Sequence, residues 1–67
     1  MSYELHKAMT ILAKRIDDKV KHLEESLGAR AARDYNEYTG ICGEITGLLT
    51  AKSFMQDLTH EMEELDE

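Results

Sequence analysis

Gly40, Gly43 and Gly47 lie within a stretch that otherwise reads as one long helix, and Ala51 follows one turn later. At about 100° per residue the four small residues share one narrow stripe. Three glycines in a helix interior cost roughly 3 kcal/mol relative to alanine. A chain of 67 residues has little stability to offset that loss. The spacing therefore predicts a second helix lying close along the stripe, where any larger side chain would clash.

Length and composition narrow the class. Sixty-seven residues make at most one small domain, and such chains usually need a disulfide, a metal or a partner subunit to be robust. Cys42 is the single cysteine, so no intrachain disulfide can form, and a lone thiol fits a reducing compartment. The chain contains no proline, and tyrosine and phenylalanine together number four. Both facts favour an all-α fold. No apolar run approaches the ~18 residues of a membrane span. The N-terminal stretch is interrupted by Glu4, His6, Lys7 and Lys14, which does not match a secretory signal. The expected protein is soluble, cytoplasmic or particle-associated, with no membrane contact.

Charge is divided between the halves. Residues 1–33 hold seven Lys/Arg against five Asp/Glu, whereas residues 34–67 hold only Lys52 against nine Asp/Glu. The acidic C-terminal end repels phosphates and favours a basic partner.

In the first half, Leu5, Met9, Leu12, Ile16, Val20, Leu23 and Leu27 are spaced 4, 3, 4, 4, 3, 4. That spacing is an eleven-residue repeat, whose stripe runs nearly parallel to a straight helix axis. Ser2 is the expected N-cap, with Glu4 in the first turn. Two connections are open. One is a tight turn at Gly28-Ala29, with the second helix beginning near Arg30; the other starts that helix at Asp34, with Asp34 and Glu37 as a capping box. The first is preferred because Ala29 to Arg33 has high helix propensity. The expected fold is an antiparallel two-helix hairpin, with helices over about 2–27 and 30–65 and a turn at 28–29, packed as an oligomer.

With that turn, Leu12 would lie near Gly47, Ile16 near Gly43 or Cys42, and Leu5 near Phe54. Helix close-packing is therefore assigned to Gly40, Gly43, Gly47, Ala51, Leu12 and Ile16. The second helix would outrun the first, so residues 57–67 would project as an acidic end of the single 1–67 domain. There, Leu58, Met62 and Leu65 with Glu61 and Glu64 are the candidate partner-binding residues. Between Tyr38 and Leu49 the large residues lie opposite or beside the small stripe. One helix cannot cover both surfaces, which predicts a homo-oligomer.

Catalytic patterns are missing. His60-Glu61-Met62-Glu63-Glu64 lacks the second histidine of a zinc-protease helix, and His6, His22 and His60 share no ligand spacing. Carboxylate metal sites in bundles need inward ligands from several helices, whereas these acids cluster at one end. No enzyme activity, cofactor or metal is expected. Lys7, Lys14, Arg15, Lys19, Lys21, Arg30 and Arg33 are interleaved with Asp17, Asp18, Glu24 and Glu25, which breaks up a nucleic-acid footprint.

The stretch Asp34-Tyr-Asn-Glu-Tyr38, Ile41-Cys-Gly43, Ile45, Gly47-Leu-Leu, Ala51, Asp57-Leu58, preceded by Ser26-Leu27-Gly28, resembles small proteins encoded by tailed, often short-tailed, bacteriophages. The resemblance covers about a third of the chain and brings no catalytic residues. It implies a phage protein that acts in virion assembly or as a small effector on a host protein. The leading expectation is a structural component associated with a head, portal or tail. The alternatives are an acidic inhibitor of a host nucleic-acid enzyme and, last, an RNA-binding hairpin.

Overall fold

The computed structural model describes residues 2–30 and 34–65. It is an all-α hairpin of two antiparallel helices, α1 over Tyr3–Arg30 and α2 over Tyr35–Leu65. It is long and thin, 52 × 16 × 10 Å, with a radius of gyration of 15.5 Å. A compact chain of this length would have a radius of gyration near 11 Å.

Each helix begins at a side-chain cap. The Leu5 amide donates to Ser2 Oγ at 3.1 Å, and the His6 amide donates to the Ser2 carbonyl at 3.0 Å. At α2 the Asn36 amide donates to Asp34 Oδ1 at 2.8 Å, and the Tyr38 amide donates to the Asp34 carbonyl at 3.0 Å. A negative cap also complements the positive end of the helix dipole. Asp34→Ala should lower stability by about 1 kcal/mol, read as a shift of the urea midpoint with an unchanged slope.

These caps correct the expected turn. Gly28 lies inside α1, and no described glycine has a positive φ. The helix-forming stretch after Gly28 extends α1 as far as Arg30 instead of opening α2. The start at Asp34 is therefore the one adopted, and residues 31–33 lie outside the described structure.

Moving the connection moves the register. Lys52 Nζ donates to Asp17 Oδ1 at 2.6 Å across the hairpin. Leu5 and Met9 face Leu58 and Met62, and His6 and Met9 share a groove with His60 and Glu63. The expected pairings of Leu12 with Gly47, Ile16 with Gly43 or Cys42, and Leu5 with Phe54 do not occur. The helices are nearly matched in length, 28 and 31 residues, so Leu58 and Met62 lie beside α1 and not beyond it. The projecting acidic end is corrected accordingly as far as Leu65; residues 66–67 lie outside the described structure.

The facing residues are evenly spaced. On α1 the covered positions include Met9, Ala13, Ile16, Val20, Leu23 and Leu27; on α2 they include Ile41, Ile45, Leu48, Lys52, Met55, Thr59 and Met62. Both series alternate steps of four and three, the seven-residue spacing of a coiled-coil seam. Ala13 therefore takes the place the eleven-residue reading gave to Leu12, which stays 46% exposed. Thr59 is tolerated in the seam because its hydroxyl donates to the Met55 carbonyl at 2.9 Å.

Among the described residues only Ile16, Val20 and Leu23 are buried, and none of these lies on α2. One seam between two helices cannot enclose a larger core.

Candidate functional site

On α2 the seven-residue spacing separates two faces. The face made of Ile41, Ile45, Leu48, Met55 and Met62 is taken by α1. A second stripe runs about a quarter to a third of a turn away, through Gly40, Gly47, Ala51, Phe54, Leu58 and Leu65, with Gly43 beside it. All seven residues are exposed. Phe54 is 67% exposed and Leu65 80%.

The glycines do not pack within the hairpin. A Cβ placed at Gly40, Gly43 or Gly47 meets no atom within 4 Å. Their assigned contacts with Leu12 and Ile16 are therefore corrected. Ile16 instead joins Val20 and Leu23 in the core. The reason is size: α1 gains more by packing on the branched face of α2 than on a stripe without side chains. Of the two faces that the sequence separates on α2, α1 takes the large one and the small one is left outward.

The outward stripe changes character along its length. Its N-terminal half is small, with Gly40, Gly43, Gly47 and Ala51; its C-terminal half is large and apolar, with Phe54, Leu58 and Leu65. Thr50 and Asp57 lie on its outer flank, and Glu61 falls within the stripe one turn before Leu65. Of the residues assigned to partner binding, Leu58, Leu65, Glu61 and Glu64 are exposed. Met62 is half-buried beside α1 and is drawn into the hairpin. Phe54 belongs with this group and was not assigned to it. The signal for it was available, since Phe54 follows Gly47 and Ala51 at helical spacing.

Other features lead less far. A groove of about 250 Å³ runs between His6, Met9, Ala13 and Met55, Thr59, Glu63. His60 Nε2 lies 3.1 Å from Glu64 Oε1 on the solvent side. No described group of three or more His, Cys, Asp and Glu side chains could hold a metal ion. Tyr35 and Tyr38 stack with ring centroids 6.4 Å apart. A hydrogen bond to the Cys42 side chain one turn on, reinforced by that group's charge, holds the Tyr38 hydroxyl above the ordinary tyrosine value. Cys42 itself is a free, half-buried thiol. No described helix is long and apolar enough to cross a membrane.

The described residues of α2 present an apolar, sterically graded helix face. No protein-family model, curated protein or solved structure matches the chain.

Proposed function

We propose that this chain is a non-enzymatic structural and interaction protein that works as an oligomer, a small component of a phage particle. The observation that carries the oligomer is the surface left uncovered. The hairpin exposes 5223 Å², whereas a compact chain of 7.7 kDa exposes about 4,300 Å². The excess, about 900 Å², is close to the ~800 Å² that each partner contributes to a standard interface. Among the described residues ten large hydrophobic ones are exposed and three are buried. Phe54, Leu58 and Leu65 of the ten fall on the outward stripe of α2, and a contiguous exposed apolar stripe marks an interaction surface. The phage setting is supported by the resemblance in the Asp34 to Leu58 stretch.

Multi-angle light scattering of the purified chain should give a dimer or larger. A helical monomer at high micromolar concentration would overturn the oligomer. Each copy carries a formal charge of −6, so association works against repulsion that salt screens. Association should therefore tighten several-fold between about 20 mM and about 300 mM NaCl. A nucleic-acid partner would show the opposite trend. The particle role is tested by the presence of the protein at fixed stoichiometry in purified virions. Absence from virions would favour action on a host enzyme.

A further inference from the structure

Resting on the oligomeric reading above, we infer that the outward stripe of α2 receives a second copy of the same stripe, antiparallel, about a two-fold axis beside Ala51. The stripe is complementary to itself in size when reversed. With the axis near Ala51, Phe54 of each copy lies over Gly47 of the other, and Leu58 lies beside Gly43. Glu61 reaches the level of Gly40, where no side chain stands. An isologous contact of this kind uses each large residue and each gap twice.

Direction is set by the same residues. Run parallel and in register, the stripes would set Phe54 against Phe54 and leave Gly40, Gly43 and Gly47 facing one another across a void. The acidic residues Asp57, Glu61, Glu63 and Glu64 would also be stacked on their own copies. Reversal places residues 57–64 at the level of residues 44–37, which carry two carboxylates, Glu37 and Glu44, in place of the four that a parallel arrangement stacks on their own copies. It also sets the two helix dipoles head to tail. The axis falls near the midpoint of Tyr35–Leu65, so the overlap spans the whole helix and is as long as this chain can make. The whole hairpin exposes about 900 Å² more than a compact chain of its mass, of the order that each partner loses in a standard interface. Of the stripe residues Leu58 also lines a hollow with Leu5 and Met9 of α1, but it is 51% exposed and can serve both, so the hairpin enters the dimer intact.

Glycine in the first half of α2 is then a requirement of assembly, because any side chain at Gly47 occupies the space of the second copy's Phe54 ring. The test uses two full-length chains in a Cys42→Ser background, one carrying Gly40→Cys and the other Glu61→Cys, mixed in equal amounts and oxidised under native conditions. The expected product is the mixed disulfide, in clear excess over either homodimeric one. Predominance of 40–40 and 61–61 disulfides would overturn the antiparallel direction. Absence of any disulfide in chains that light scattering shows to be dimeric would overturn the use of this face while leaving the oligomer in place. Monomeric parent chains would overturn both. As a check that does not depend on oxidation, Phe54→Ala in the unmodified chain should raise the dimer dissociation constant at least tenfold with helicity retained; an unchanged constant would overturn the inference.

Discussion

Leu23→Ala is expected to leave most of the chain unfolded at 25 °C. Among the described residues three are buried, Ile16, Val20 and Leu23, and Leu23 is 7% exposed. Truncating a buried leucine to alanine costs about 2–5 kcal/mol, from lost transfer energy and from the cavity left behind. A chain of 67 residues has a total stability of about 3–10 kcal/mol at most, and small single cores usually supply ~3–5 kcal/mol. One truncation therefore removes most of the margin. Far-ultraviolet circular dichroism should show a melting temperature lowered by more than about 10 °C, measured at one fixed protein concentration because association shifts the midpoint. Leu12→Ala is the control. Leu12 sits on the same sequence stripe but is 46% exposed, so its truncation should cost under about 1 kcal/mol. Equal losses at the two positions would contradict the seam, because the eleven-residue stripe treats both leucines as core.

Gly47→Leu is expected to have opposite effects on the free hairpin and on the assembled protein. In the free hairpin a Cβ at this position meets nothing within 4 Å. Replacing a helical glycine by a good helix former should then stabilise by about 0.5–1 kcal/mol. In the dimer the same side chain collides with the Phe54 ring, and overpacking costs about 1–3 kcal/mol at each of two symmetric sites. The variant should thus be more helical than the parent in dilute solution and less stable than it at concentrations where the parent dimerises. The crossing of the two melting-temperature curves with concentration is the measurement. A gain at every concentration would mean that the glycine face meets no partner.

The comparison of Leu12 with Leu23 shows how much of the fold was legible in the sequence. That α1 and α2 are helices, that Ser2 and Asp34 can cap them, and that the pair forms a hairpin follow from local chemistry: propensity, apolar spacing and the hydrogen-bonding reach of short polar side chains. Register depends on where the connection ends. There, two local solutions were both chemically sound, and Ala29 to Arg33 suited either helix. The capped start at Asp34 moves the pairing at Leu5 by four to eight residues, from Phe54 to Leu58 and Met62.

The candidate site followed the same division. The sequence by itself determined that α2 carries two faces, one branched and one small, because that depends only on helical spacing and side-chain size. Only the tertiary structure decided which face α1 takes. It takes the branched one, since partly covering Ile41, Ile45, Leu48 and Met55 stabilises the hairpin in proportion to apolar area and glycines offer none. Gly40, Gly43 and Gly47 are thereby left outward in line with Phe54 and Leu58, a juxtaposition of gaps and large side chains within one exposed stripe.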